Sequence, residues 1–252
     1  MNKSVHLPVI QGGDGMFATR RTDNWWIGPA LTFLVLSSFV GYATFRVFEN
    51  AHYAWGPYLS PMYSPLIETT GWGIPYLSPA MLILPGPLSF RFTCYYYRKA
   101  YYRSFAMTPP ACAVMGRATP KYKGERTLMI FQNLHRYALY LAILFLVFLW
   151  HDVIKAFNFG GHFGIGMGTL VLALNTTLLS IYTFSCHSFR HLVGGALNVF
   201  SKSPLRYLMW KRVTVLNEKH MELAWVSLFG VALTDLYVRL VASGAITDIR
   251  IV

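Results

Sequence analysis

Apolar residues in this chain fall in long unbroken blocks, not in the alternating or one-face patterns of soluble strands and helices. Five blocks stand out, at about Trp25 to Glu49, Ser78 to Phe105, Leu128 to Phe157, Phe163 to Leu197 and Met221 to Ser243. Each is long enough for the roughly 20 residues a helix needs to cross the hydrocarbon of a bilayer. Lipid offers the backbone no hydrogen-bond partners, so such crossings are helical. The pattern predicts an all-α membrane protein, a bundle of five transmembrane helices forming a single transmembrane domain over residues 1–252. Pro85 and Pro87 interrupt the second block. The outer end of that helix is expected to be kinked or unwound, because proline lacks the amide hydrogen and clashes with the preceding turn.

Charge sets the expected orientation. Charged residues make up 13% of the chain and apolar residues 54%; soluble domains carry about a quarter charged residues. The net charge of +12 is therefore read as basic loops on the cytoplasmic side and not as a nucleic-acid surface. Lys3, Arg20 and Arg21 lie in the N-terminal tail, seven basic residues between Arg98 and Arg126, and six between Arg190 and Lys219. The connection from Asn50 to Pro79 has none. The N-terminus is expected in the cytoplasm and the C-terminus outside. Trp55, Tyr58, Tyr63, Trp72 and Tyr76 suit an aromatic belt at the outer headgroups. No short apolar core with a cleavage site marks the first 24 residues as a secretory signal.

Two stretches share a pattern. FTCYYYRKAYY, Phe92 to Tyr102, and FSCHSFRHLVG, Phe184 to Gly194, each place a cysteine in an apolar run and an arginine four residues later. The second and fourth spans run in the same direction, so Cys94 and Cys186 are expected at similar depth in their inner halves. His187 and His191, four apart, share a helix face. His135 and Arg136 open the third span near the inner surface; His151, Asp152 and Lys155 close it near the outer one. His135 and His151 are about 24 Å apart on a straight helix and cannot serve one site.

Plainer roles compete for each residue. A buried cysteine packs as a small apolar residue. Arg98, Lys99 and Arg103 can snorkel to headgroups. His151 with Asp152 makes an interfacial pair, and Asp235 with Arg239, four apart, a mutually neutralising one. Convergence of cysteine, histidine and arginine at one depth sets the inner group apart.

HSFRHLVGG, NLHRYALYLA and the run CYYYRKAYYRSF followed by PPACAV resemble the membrane anchor of succinate dehydrogenase and quinol:fumarate reductase, the actinobacterial single-anchor type above all. The resemblance covers nearly the whole chain. It implies a multi-pass subunit in the bacterial plasma membrane, partnered by a flavoprotein subunit and an iron–sulfur subunit, in contact with membrane lipid, without nucleic acid and compatible with a higher oligomer. In such complexes succinate is oxidised on the flavin and electrons reach menaquinone or ubiquinone through iron–sulfur clusters. The chain alone is not expected to oxidise succinate.

Family members often hold haem b between histidines of different helices. Here the second span has no histidine and the fifth only His220, at its start. An inner haem would draw on His135 with His187 or His191, and an outer one on His52, His151 or His162. The favoured alternative is a Rieske-type [2Fe–2S] cluster, whose ligands are two thiolates and two imidazoles. Its candidates are Cys94, Cys112, Cys186, His135, His187 and His191. A quinone needs a flat apolar slot with donors to its carbonyl oxygens. Trp25 and Trp26 are candidate walls, and Tyr95, Arg98, Tyr101, His135 and Arg136 candidate donors. The competing functions are a small proton-linked transporter using His151, Asp152, Asp235 and Arg239, and a non-redox membrane scaffold. Five spans do not divide into the repeated halves common among transporters.

Overall fold

The computed structural model describes residues 15–69, 72–74, 77–117, 128–195 and 197–252. Tyr76 of the expected belt, Lys3, Lys121, Lys123 and Arg126 lie outside them. Nine α-helices are found among the described residues: α1 (Ile27–Glu49), α2 (Pro79–Ile83), α3 (Pro85–Thr93), α4 (Tyr95–Ser104), α5 (Leu128–Lys155), α6 (Met167–Phe184), α7 (His187–Gly194), α8 (Pro204–Glu218) and α9 (His220–Ala242). Two short antiparallel hairpins accompany them: β1 (Ala54–Trp55) with β2 (Tyr58–Leu59), and β3 (Asn158–Phe159) with β4 (His162–Phe163).

The all-α membrane class is as expected, but the count of continuous crossings needs correction. Four helices among the described residues are long and apolar enough to span a bilayer: Ile27–Glu49, Ile130–Lys155, Met167–Phe184 and His220–Ala242. The second block is not one helix. It breaks at Leu84, just before Pro85 starts α3, and again at Cys94, which is extended at φ −60°, ψ 129°. Proline at the first position of a helix loses no intrahelical bond, so Pro79 and Pro85 start helices that they could not continue. The fourth block also breaks. Cys186 is extended at φ −64°, ψ 144°, and its sulfur accepts the Ser188 amide, capping α7.

The chain forms two compact units, one from Met1–Ser38 and Tyr95–Arg126, the other from Phe39–Cys94 and Thr127–Val252. In the first, Phe17 and Ala18 exchange backbone bonds with Met115, at 2.9 Å each. Thr19 Oγ1 donates to Ala113 O at 2.7 Å, and Arg21 Nη1 to Cys112 O at 2.9 Å. Phe33 rests on Phe105 with ring centroids 4.8 Å apart.

In the second unit α3 packs on α5, α5 on α6, α6 on α9 and α7 on α8. Gly86 permits the first contact: a Cβ there would overlap the Phe145 ring. The inward faces carry Leu139, Leu146, Leu172, Leu228 and Val238, all buried. Outward faces are apolar too, with Leu144, Val147, Ile154, Leu174 and Leu233 exposed. A water-soluble bundle would cover such a surface; in a bilayer it is the face solvated by lipid.

At the end of the bundle near the β1–β2 hairpin, charge is buried in pairs. Arg239 Nε donates to Asp235 Oδ2 at 2.8 Å, and Arg239 Nη1 reaches Glu49 Oε2 at 3.1 Å. Asp235 also accepts from Tyr42 OH at 2.6 Å and from Ser60 Oγ. Asp235 and Arg239 therefore neutralise each other, as their four-residue spacing predicts. His151 Nδ1 stands 3.7 Å from Asp152 Oδ1 and is largely exposed, while Asp152 Oδ2 accepts from Ser64 Oγ at 2.5 Å. Asp248 ties the C-terminal tail down, accepting from Tyr58 OH at 2.7 Å, Tyr237 OH at 2.6 Å and the Gly168 amide at 2.9 Å.

Candidate functional site

Four segments of the second unit close a ring of polar side chains at the C-terminal ends of α3 and α6. Thr93 and Cys94 end α3; Ser185 and Cys186 follow α6; His135 lies on α5 and His220 starts α9. His135 Nδ1 is 3.0 Å from Thr93 Oγ1 and its Nε2 is 3.1 Å from Cys186 Sγ. His220 Nδ1 is 2.7 Å from Ser185 Oγ and its Nε2 is 3.5 Å from Cys94 Sγ. Each imidazole thus bridges the hydroxyl of one dipeptide and the thiol of the other. The same bonding pattern thus occurs twice.

The hydroxyls decide the tautomers. Thr93 Oγ1 donates its one hydrogen to Ser89 O at 2.7 Å, and Ser185 Oγ donates to Tyr182 O at 2.7 Å. Each oxygen is left to accept from the imidazole, so in the neutral rings the proton is on Nδ1 and Nε2 carries the lone pair. Both lone pairs face thiols. Aromatic rings fix the imidazole planes: Phe90 stacks on His135 with centroids 4.7 Å apart, and Tyr182 on His220 at 5.1 Å. Phe90 and Tyr182 meet edge to face at 5.5 Å. Each precedes its hydroxyl residue by three positions, so one helical turn presents both to the same imidazole.

The six candidate metal ligands do not gather, and this corrects the expectation. No group of three or more His, Cys, Asp or Glu side chains that could together hold a single metal ion is found among the described residues. His187 is exposed and its Nδ1 meets Asn217 Oδ1 at 3.2 Å; His191 is exposed and bonds Arg136 at 2.7 Å. Cys112 is exposed in the first unit, 3.9 Å from Arg103 Nη2. The helix break at Cys186 is the reason: it starts a new helix whose histidines point to α8 and to Arg136. His220 takes their place. Sequence reasoning passed over it because it sits at the very start of the last span.

Of the candidate quinone residues, Trp25, Trp26, Tyr95, Arg98 and Tyr101 belong to the first unit and His135 and Arg136 to the second. Trp26 and Tyr95 are exposed and Arg98 is buried. Arg91 escaped notice. Its guanidinium donates to Ala224 O at 3.1 Å and Ser227 Oγ at 3.0 Å, and lies over the Tyr182 ring at 4.7 Å. A lone arginine inside an apolar block is the signal that could have found it.

No curated protein matches the chain. Among solved structures, a chain of the Mycobacterium smegmatis Sdh1 complex in the apo form is 45% identical, with a TM-score of 0.85. The match covers 93% of this chain and 94% of that one. The family described as actinobacterial succinate dehydrogenase subunit SdhC matches residues 27–244. The chain belongs to that family: it is the membrane-anchor subunit of a bacterial succinate dehydrogenase complex and a multi-pass protein of the plasma membrane.

Proposed function

We propose that this chain is the quinone-reactive subunit of a succinate:quinone oxidoreductase. A flavoprotein subunit oxidises succinate to fumarate, releasing two electrons and two protons. An iron–sulfur subunit carries the electrons to the anchor, where menaquinone or ubiquinone takes up two electrons and two protons to become the quinol. The basic loops face the cytoplasm and dock the iron–sulfur subunit, with α2 and α3 together serving as a broken fifth crossing. The observation that carries the reading is the ring of Cys94, His220, Cys186 and His135. It is a concentration of redox-capable and proton-accepting side chains between helices that otherwise meet lipid.

The same four residues refine the cofactor. Two thiols and two imidazoles are the donor set of a histidine-ligated [2Fe–2S] cluster. The fit rests on donor chemistry: each imidazole is anchored through Nδ1 by a hydroxyl and turns its Nε2 lone pair inward, as outer partners of metal-bound histidines do. When bound, such a cluster would relay single electrons at a potential raised by its imidazoles. The protein's own part is to hold the rings by Thr93, Ser185, Phe90 and Tyr182, and to keep water from the sulfurs.

Purification of the complex tests both readings. The chain should bring a flavoprotein and an iron–sulfur protein with it, and the complex should reduce a short-chain quinone with succinate. A chain that purifies alone and redox-silent defeats the first reading. Iron in excess of the partner's clusters, with an EPR signal lost in Cys94→Ala, supports the second. A pyridine haemochrome band, with no such signal, replaces it with haem.

A further inference from the structure

At the end of the bundle far from the ring, three loops of the second unit enclose an open pocket of about 330 Å³. The β1–β2 turn brings Trp55 and Gly56, the β3–β4 turn Asn158, Phe159 and Gly160, and the C-terminal tail Arg250. Gly56 at φ +52° and Gly160 at φ +64° allow both turns to be tight. Backbone pairing fixes the tail beside them. Ile251 N donates to Ile165 O at 2.7 Å, Met167 N to Ile249 O at 2.9 Å, and Ile165 N to Val252 O at 3.0 Å. Arg250 is thus held by the strand-like tail and not by a floppy end.

The polar side chains of the pocket are donors, and no acid lines it. Arg250 stacks on the Phe159 ring, with Cζ 4.2 Å from the centroid. Stacking uses the face of a guanidinium and leaves its N–H edge for an acceptor. Asn158 Oδ1 accepts the Gly161 amide at 2.7 Å, so Nδ2 is the end left to donate. Arg250 forms no salt bridge among the described residues. Asp248, two positions before it, has its oxygens engaged by Tyr58, Tyr237 and the Gly168 amide. A planar fork of donors with an amide beside it suits the oxygens of a phosphate. The rim is apolar: Phe163, Ile249, Ile251 and Val252 are all more than half exposed. Trp55 beside them suits the headgroup level of a bilayer.

We infer that this pocket binds the phosphate of an anionic phospholipid headgroup, with Arg250 and Asn158 on the phosphate oxygens and the acyl chains lying along the apolar rim. The leaflet is the one opposite the basic connections. A headgroup with an added ammonium is disfavoured, because no carboxylate lines the pocket to receive it. A glycerol headgroup or a diphosphate one has no such cation to place. The pocket lies at the lower end of the size of small-molecule sites, ~300–1,000 Å³, which suits a headgroup and leaves the chains outside. The inference is independent of the quinone-reactive role.

The intact complex, stripped of lipid in detergent and titrated with dioctanoyl phosphatidylglycerol under native mass spectrometry, provides the test. Arg250→Gln should weaken the tightest lipid site about tenfold, and Arg250→Lys should restore part of the loss. Asn158→Asp keeps the acceptor for the Gly161 amide but sets a negative charge in the pocket, and should weaken the site by at least as much. Succinate-driven reduction of an artificial dye at the partner subunits should stay at the wild-type rate in all three, which shows that the complexes are assembled. Dioctanoyl phosphatidylcholine should bind the unaltered complex about tenfold more weakly. Equal lipid binding by the unaltered complex, Arg250→Gln and Asn158→Asp overturns the site. Equal binding of the two lipids overturns the preference for an anionic headgroup. Displacement of the lipid by an equal concentration of inorganic phosphate shows a free-anion site and overturns the lipid assignment. Should the variants fail to assemble, a phosphatidylglycerol with a photoreactive headgroup is cross-linked to the unaltered complex. Label on residues 55–57, 158–160 or 250 supports the site, and label confined to other segments overturns it.

Discussion

His220 Nε2 lies 3.5 Å from Cys94 Sγ, across 126 residues of sequence, and His135 Nε2 lies 3.1 Å from Cys186 Sγ. The two contacts share one pattern, in which α9 and the end of α3 play the parts that α5 and the end of α6 play in the other. Each imidazole takes its orientation from a hydroxyl next to the other pair's cysteine, so loss of one hydroxyl should disturb one half of the ring.

Ser185→Ala and Thr93→Ala each remove the acceptor that holds an imidazole N–H. Outer partners of this kind are worth about 10–100-fold in metal affinity or activity. Succinate:quinone activity of the complex should fall by about that factor, with dye reduction retained. Two variants of wild-type activity would show that the hydroxyls do not position the rings.

Asp235→Leu should lower stability by about 3–5 kcal/mol, because it removes the main partner of the buried Arg239. Glu49, 3.1 Å from the guanidinium, holds the loss toward the lower end. The double variant Asp235→Leu/Arg239→Leu should lose less than the single one. Thermal unfolding of the solubilised complex compares them.

Gly86→Leu should force α3 away from Phe145, at about 1–3 kcal/mol of overpacking. A lower melting temperature is expected. An unchanged one would mean the Phe145 ring can move aside.

Burial pushes the Tyr58 phenol up to about 12, with the neighbouring Asp248 carboxylate adding to the shift and the Thr169 hydrogen bond opposing it. The unfolded phenol ionises near 10. Stability from this residue is full below pH 10 and lost as pH rises toward 12. Tyr58→Phe should flatten that part of the stability curve, read from melting temperatures at pH 9, 10 and 11.

The membrane class, the breaks near Pro85 and the matched Cys94 and Cys186 were legible in the sequence, because hydropathy, proline and spacing are local signals. The cysteine partners were not. Helical periodicity made His187 and His191 the natural companions of Cys186, but the helix stops at that residue and its new axis carries them to Asn217 and Arg136. Contacts between distant helices leave no periodic trace. A sharper clue was the repeat of an aromatic residue, two spacers, a hydroxyl residue and cysteine in FRFTC and YTFSC. The helix α8 was hidden in what reads as a basic connection, since its amphipathic pattern is weak. Asp235 with Arg239 was legible because both partners sit on one helix.

The ring also has an order of assembly. Translation delivers Cys94, His135 and Cys186 first, and His220 with the final helix. A nascent chain that ends before His220 can hold one finished thiol–imidazole contact while the other sulfur still lacks its ring. Biogenesis of the anchor is therefore complete at this centre after its last membrane segment arrives, and a truncated product would be marked by its unfinished half.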